Sequence, residues 1–454
     1  MRYIFLTASL ICTIAAAAMA QQAPPPNTPV SYSLADCINY AYIHQDSVKN
    51  AVLDVKSAEY KVKETIGSGL PQVNGSISFQ DFLKTPASLA PAGIFEGKPD
   101  FNAPLVPLPF GALKYNNTYG LTASQLLFSG TFLVGLQAVK TFKELSKRSL
   151  IRSKIDINVS VTKAYYQVLV SGEQIKLLDA NIAQLKQTLD QTTQQNKQGF
   201  VEKIDVDRLS VQYNNLVTNR DNAQRALVLS SEMLKFQMGM PIEQELILTD
   251  KLSDVNISNA APADASDTSF VKNRIEYKLL QTNIVLNQLD VKSKKAAYLP
   301  SVQLNGGFNE VFQENHAKFL YNNAYPNSFI GLGINIPIFS GGQRLNQLRQ
   351  SQISVMKAQN DLHNAANGFK LQANSARITY ENSIHSLDNQ KRSRELAQEV
   401  LRVAKIKYQQ GVGSNIEVTQ AQTEFESADN QYIQALYNAL ISKVDLDKAY
   451  ARIN

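Results

Sequence analysis

The feature that most restricts the fold is an internal duplication, carried by short matches that recur in one order at nearly constant spacing. Leu70-Pro71-Gln72-Val73 returns as Leu299-Pro300-Ser301-Val302, 229 positions later. Leu127-Phe128-Ser129-Gly130 returns as Ile338-Phe339-Ser340-Gly341 after 211, and Gln198-Gly199 with Ile204-Asp205-Val206 returns as Gln410-Gly411 with Ile416-Glu417-Val418 after 212. The second copy is 18 residues shorter between its first two landmarks, where the first holds a Pro-rich stretch, so a loop absorbed the difference.

Within each copy the apolar period changes from helix to strand and back. Helix-compatible sequence runs from about Leu34 to Ile66 and from about Phe270 to Ala297. Then Val73, Gly75, Ile77 and Phe79 alternate with Asn, Ser and Gln, and Tyr119, Leu121 and Ala123 alternate with Gly, Thr and Ser. In the second copy Val302, Leu304, Gly306 and Phe308 form one such row, and Ile330, Leu332, Ile334, Ile336 and Ile338 another. This predicts four amphipathic strands of about ten residues, with polar faces almost free of charge. Soluble half-buried hairpins satisfy any one of them. Their length, their uncharged polar faces and the export signal described below favour bilayer-crossing strands. Four strands do not close a barrel, and open edges cannot sit in lipid, so such a barrel is shared among chains. Two chains would give eight strands and a filled interior; three would give twelve and a usable lumen.

Proline is absent for 131 residues between Pro109 and Pro241 and for 117 after Pro337, which permits very long helices. Two are expected, from about Thr131 to Lys197 and from Gln343 to Gln409, each roughly 100 Å long at ~1.5 Å per residue. Turns at Gly199 and at Gly411 and Gly413 reverse the chain into a shorter helix. There Val206, Leu209, Tyr213, Leu216, Arg220, Ala223 and Leu227 keep 3-4 spacing, echoed by Val418, Ala421, Phe425, Ala428, Tyr432 and Ala435. This is a heptad seam, so each hairpin is an antiparallel coiled coil.

The opening twenty residues combine Arg2, an apolar run from Tyr3 to Ala18 and a small-x-small ending at Ala18-Met19-Ala20, the pattern of a secretory signal peptide cleaved after Ala20. Its removal lowers the net charge from +6 to +5, too dilute to imply nucleic acid, and takes Cys12, so Cys37 is the one remaining thiol and no intrachain disulfide can form. No other run of eighteen apolar residues exists to make a membrane-crossing helix. With 44% apolar and 19% charged residues, collagen-like and wholly disordered classes are excluded. The expected organisation is signal peptide (1–20), Pro-rich segment (21–32), first repeat (33–240), linker (241–268) and second repeat (269–454).

The ordered duplication, both Leu-Pro strand openings, both Phe-Ser-Gly exits and the hairpin Tyr408-Gln409-Gln410-Gly411-Val412-Gly413-Ser414 resemble the TolC-like outer membrane factors, exit ducts of efflux pumps and type I secretion systems. The resemblance covers essentially the whole mature chain. It implies an α+β membrane protein, a homotrimer whose twelve strands form a β-barrel in outer-membrane lipid above a periplasmic α-helical barrel. It assigns the linker to a belt around the tunnel. Loops Leu83 to Lys114 and Gln313 to Asn327 would face outside, and the helical turns would form the periplasmic tip. The implied partners are a periplasmic adaptor (membrane fusion) protein and an inner-membrane transporter.

By the same resemblance Gly199, Phe200, Val201, Gly411, Val412, Gly413 and Ser414 are candidates for docking the adaptor; for the glycines, helix capping is the simpler alternative. Asp205 and Glu417 match the family position whose carboxylates line the closed entrance, while a first-turn acid is also explained by the helix dipole alone. One turn on, Arg208 and Gln420 stand where relatives carry further acids, and Arg208 can neutralise Asp205 at i, i+3.

No catalytic constellation emerges. His44, His316, His363 and His385 are isolated, without metal-ligand spacing, and Gly341-Gly342 lacks the Lys-Ser/Thr of a phosphate loop. Cys37 has no neighbouring His and is expected to pack in the first helix. No enzyme, cofactor or metal is predicted. The leading expectation is a passive duct opened by docking; an exported coiled-coil adhesin or scaffold without a pore is the alternative. Drug efflux and protein export share this architecture and are not separated by it.

Overall fold

The computed structural model describes residues 30–92, 94, 101–102, 104–107, 112–252 and 269–453. The signal-peptide reading, most of the Pro-rich segment, part of the first outer loop and the linker from 253 to 268 lie outside the described residues. The elements run β1 (Val30–Tyr32), α1 (Leu34–His44), α2 (Asp46–Gly67), β2 (Gln72–Asp81), β3 (Leu89–Ala90), β4 (Val106–Pro107), β5 (Tyr115–Ser129), α3 (Gly130–Lys197) and α4 (Lys203–Met238). They continue with β6 (Leu246–Leu248), α5 (Phe270–Asn273), α6 (Ile275–Ala296), β7 (Ser301–Glu314), β8 (Tyr325–Asn335), α7 (Gln343–Gln409) and α8 (Asn415–Ala449). The long helix expected in each proline-free stretch is one unbroken element, of 68 residues in α3 and 67 in α7.

The helices expected over residues 34–66 and 270–297 are each broken once, at Gln45 and at Arg274, 229 positions apart like the Leu-Pro openings. Both residues take extended backbone, with ψ 125° and 136°. Gln45 then caps α2, its side-chain oxygen accepting from the Ser47 amide at 2.5 Å. Arg274 is 3% exposed; it reaches Glu276 at 3.2 Å and Gln372 at 2.8 Å, with its guanidinium over the Phe369 ring. The arginine holds the Glu276 carboxyl below its ordinary pKa, against a burial effect that is the largest single influence and acts upward.

The described residues fall into two compact units, one within Met1–Ala41 and Ala164–Asn256, the other within Tyr42–Lys163 and Ile257–Asn454. In the first, β1 pairs in parallel with β6, and Asp250 just beyond β6 accepts from the Leu34 amide at 3.0 Å and the Tyr165 hydroxyl at 2.8 Å. A carboxylate at the start of α1 satisfies one orphan amide and complements the helix dipole. Cys37 is fully buried beside this cluster, and burial, then Asp36 and Asp250, push its thiol up to about 12. Along the hairpin of α3 and α4, Leu178, Leu185, Leu209 and Leu216 form a buried cluster with Ile182, Leu189, Tyr213 and Ala223 against it, so the 3-4 seam is the packed face.

In the second unit α7 and α8 close through Leu401, Ala404, Val418, Ala421 and Phe425, the matching seam 212 positions on. The strands of both copies join one antiparallel sheet in the order β2-β5-β7-β8. β5 and β7 are longer than the alternating runs because they pair with each other from Tyr115↔Glu314 to Ser129↔Ser301, through a register shift between Leu126 and Phe128. β7 reaches Glu314 and β8 begins at Tyr325, so the second connection is shorter than the expected Gln313 to Asn327.

Candidate functional site

A duct needs a wall with two differently wetted faces and an entrance, so the sheet and the hairpin turns are the places to look. The three strand pairings align the alternating rows. Val73, Ala123, Gly306 and Ile330 lie in one line across the sheet, as do Gly75, Leu121, Phe308 and Ser328; Leu304 faces Leu332 and Val302 faces Ile334. Because strand side chains alternate, all four apolar rows share one face, with Ser328 and Gln125 as polar exceptions along it and Asp81, Asn117, Glu310 and Glu314 gathered at one end. The other face carries Asn74, Ser76, Thr122, Ser124, Asn305 and Asn309, with Phe329 laid across Gly307, where a Cβ would meet its ring. The apolar face is uncovered: Ile77 is 74% and Ile330 80% exposed. The soluble-hairpin alternative requires that face to be buried. β2 and β8 are the two edges, each with one unpaired ladder side.

At the turn of α3 into α4, Gly199 has φ +81°; its amide donates to the Asn196 carbonyl and that of Phe200 to the Gln195 carbonyl, at 2.9 and 3.0 Å. This is a Schellman cap, which needs the left-handed residue that Gly provides. The Asn196 amide also holds the Val201 carbonyl at 2.7 Å. At the turn of α7 into α8, Gly411 with φ +72° repeats the cap, its amide to Tyr408 and that of Val412 to Lys407, both at 3.0 Å. Phe200 and Val412, the residues after each glycine, are both 78% exposed. Ser414 caps α8, accepting from the Glu417 amide at 3.3 Å, whereas the equivalent Glu202 makes no side-chain cap. Gly413 has a packing reason: a Cβ there would lie 2.9 Å from the Lys407 Cβ and 3.1 Å from backbone.

Asp205 and Arg208 are brought together as an ion pair at 3.8 Å. Glu417 and Gln420 border one groove of about 420 Å³ between α7 and α8, with Glu399, Glu424 and Lys407 around a floor of Val400, Val403, Ala404 and Ala421. Arg402 forks onto Glu399 at 2.6 and 2.8 Å and holds its carboxyl below the usual range. Sequence reasoning missed this groove, since Glu399 and Glu424 enter it from separate helices. It also missed the Arg394–Asp429 ion pair inside the same hairpin, stacked over Tyr432. Among the described residues no group of three His, Cys, Asp or Glu could hold a metal ion, and no helix is long and apolar enough to cross a membrane.

Residues 281–452 match the Outer membrane efflux protein family. The chain is 22% identical over 342 residues to Outer membrane protein TolC of Vibrio cholerae, covering 74% of this chain and 76% of that one. It is 20% identical to Proteases secretion protein PrtF of Dickeya chrysanthemi, over 66% of this chain and 65% of the relative. Its fold is shared with the solved structure of CusC, described as forming a transmembrane channel, at a TM-score of 0.74 and 16% identity over 95% of each chain.

Proposed function

We propose that this chain is a TolC-like outer membrane factor, the outer-membrane channel subunit of an efflux or type I secretion system; the family match over residues 281–452 and the similarity to TolC and PrtF support the reading. The observation that carries the reading is the sheet: one uncovered apolar face, one polar face and two open edges in a single chain. In the chain's own strand order the outer strands run in opposite directions. β8 of one subunit can therefore pair antiparallel with β2 of the next, and each added copy extends the barrel by four strands. Three copies make a twelve-stranded barrel in outer-membrane lipid with a water-filled lumen, and the long hairpins extend into the periplasm as the tunnel wall. The two repeats, 33–240 and 269–454, contribute equivalent hairpins.

The turns at Gly199-Phe200-Val201 and Gly411-Val412-Gly413-Ser414 are the docking tips for a periplasmic adaptor, which brings an inner-membrane transporter. Their glycine caps hold Phe200 and Val412 out in water, where an adaptor helix can cover them. The entrance acids are unequal: Asp205 is paired to Arg208, while Glu417 stands one turn before the neutral Gln420 on the α8 wall of an open groove that Lys407 of α7 also lines. Glu417, without an arginine one turn on, is the entrance acid left to act at the closed mouth, and the duct is passive, opened by its partners and specific through them.

The test is to measure the mass of the purified complex and its conductance in planar bilayers. A trimer with stable single-channel currents supports the reading, and a non-conducting monomer overturns it. Comparing divalent-cation block between parent and Glu417→Ala tests the gate; equal block in both removes Glu417 from it.

A further inference from the structure

One end of the apolar sheet face differs from the rest. There Asn117, 3% exposed, sits among rings from three strands and a loop. Phe79 stacks on Tyr115 at 6.5 Å, Tyr119 meets Phe312 edge-on at 5.9 Å, and Phe312 meets Tyr321 at 5.3 Å. Tyr321 comes from the β7–β8 connection, which folds back so that the Asn117 amide donates to its hydroxyl at 2.7 Å and to that of Tyr119 at 3.3 Å. By strand register Tyr115, Asn117, Tyr119, Phe79 and Phe312 lie in the lipid-facing row. The loop is therefore clasped to the outside of the wall, not over its lumen.

Charge places this cluster on a boundary. The charged residues of the four strands are Asp81, Glu310 and Glu314, and all lie at this end, level with or beyond Tyr119. Just outside, Lys114 lies over Tyr115 at 5.0 Å and Lys318 over Phe319 at 5.8 Å. From Tyr119 to Phe128 the strands carry no charge beyond that level. Those nine steps span about 31 Å along the strand and about 24 Å along the normal at a tilt of ~40°, the height of an outer-membrane apolar band.

We propose that the Asn117-centred aromatic cluster is the outer-leaflet interfacial anchor of the wall. Its rings sit at the boundary between acyl chains and headgroups, and Asn117 ties the β7–β8 loop down so that Tyr321 joins them. Tyrosine suits that depth because the ring is apolar and the hydroxyl is wet, and the two lysines beyond it reach the level of lipid phosphates. The inference rests on the channel reading and adds the depth at which the barrel is held.

The chain contains no tryptophan, so single-tryptophan variants report without background. Tyr321→Trp, Phe312→Trp and Leu332→Trp are each reconstituted into phosphatidylcholine vesicles brominated either near the glycerol end or near the methyl end of the acyl chain. The proposal expects the indoles at positions 321 and 312 to lose more fluorescence to the shallow bromine, and the indole at 332 to lose more to the deep one. Adding Asn117→Ala should shift the emission from position 321 to the red and remove its quenching, while position 332 is unchanged. Quenching at 332 without any at 321 and 312, or equal quenching at 321 with and without Asn117, overturns the anchor. Absence of quenching at 332 overturns the channel reading itself.

Discussion

The Arg394–Asp429 pair between α7 and α8 allows a quantitative prediction. Asp429 is 7% exposed and Arg394 26%, with the guanidinium 5.1 Å from the centre of the Tyr432 ring. Removing one partner of a fully buried pair is destabilising by about 3–5 kcal/mol, because the other charge is left without compensation. Arg394 keeps a quarter of its surface in water and can partly withdraw, so Asp429→Ala should lose about 2–3 kcal/mol. The first hairpin shows a charge-free solution: 212 positions earlier the same places hold Ile182 and Val217. The double variant Arg394→Ile, Asp429→Val should therefore return to within about 1 kcal/mol of the parent, since apolar replacement of a buried pair is often neutral. Amide hydrogen exchange of the full-length protein reads this locally. Protection of α8 amides around Asp429 should fall roughly 30- to 150-fold in Asp429→Ala and recover in the double variant, at ~1.4 kcal/mol per tenfold. If the double variant stays as unprotected as the single one, the uncompensated charge is not the cause and the reasoning is wrong.

Other outcomes follow from the same geometry. Lys405 on α7 has its ammonium buried without a hydrogen-bond partner among the described residues, and burial lowers its pKa from 10.5 to about 8. The folded state thus binds fewer protons than the unfolded one between about pH 8 and 10.5, and stability rises with pH through that window. Lys405→Met should raise the Tm at pH 7 and lose its advantage near pH 10; a lower Tm at pH 7 would contradict this. Glu426 on α8 is shifted the other way, its carboxyl raised chiefly by burial although Gln422 donates to it at 3.0 Å. The folded state holds that proton more tightly, so stability falls as pH climbs from 4.5 through the raised value. Glu426→Gln should raise the neutral-pH Tm with a gain that vanishes on acidification, and a pH-independent gain would mean that ionisation is not responsible. Gly413→Ala should destabilise the second tip by about 1–3 kcal/mol through its contacts with Lys407, read as faster exchange of the Val412 and Gly413 amides. In the sheet, Ile330→Arg should abolish assembly while Asn305→Arg on the opposite face assembles with altered conductance; equal tolerance of both would refute the face assignment.

Elements with a periodic cause were legible in the chain. Period-two rows located the strands, proline-free runs the long helices, and the 3-4 seam the faces that bury Leu209, Leu216, Val418 and Phe425. The Asp205–Arg208 pair was legible because i, i+3 spacing on a helix fixes its geometry. Features caused by distant partners were not. Arg274 leaves the helical path to reach Gln372 and Phe369, nearly a hundred residues away, and nothing in its own neighbourhood marks a break. Asp429 meets Arg394 only because an antiparallel hairpin folds α8 along α7. Tyr321 looked like an ordinary loop residue, since its place against Asn117 depends on the pairing of β5 with β7. The need for Gly at 413 likewise depends on how closely the turn passes Lys407, which spacing does not encode.

In a barrel shared among several chains the two faces of each strand meet different solvents. A cysteine scan of β8 from Asn327 to Ile334, in the assembled protein in outer-membrane vesicles, measures this directly; the native Cys37 is buried and does not compete. Cysteines replacing Asn327, Phe329, Gly331 and Gly333 should react with a charged, water-borne thiol reagent and change the conductance. Those replacing Ser328, Ile330, Leu332 and Ile334 should react only with a lipid-soluble one. Uniform labelling along the strand, or an apolar set reached by the charged reagent, would contradict a shared barrel with a lipid side and a water side.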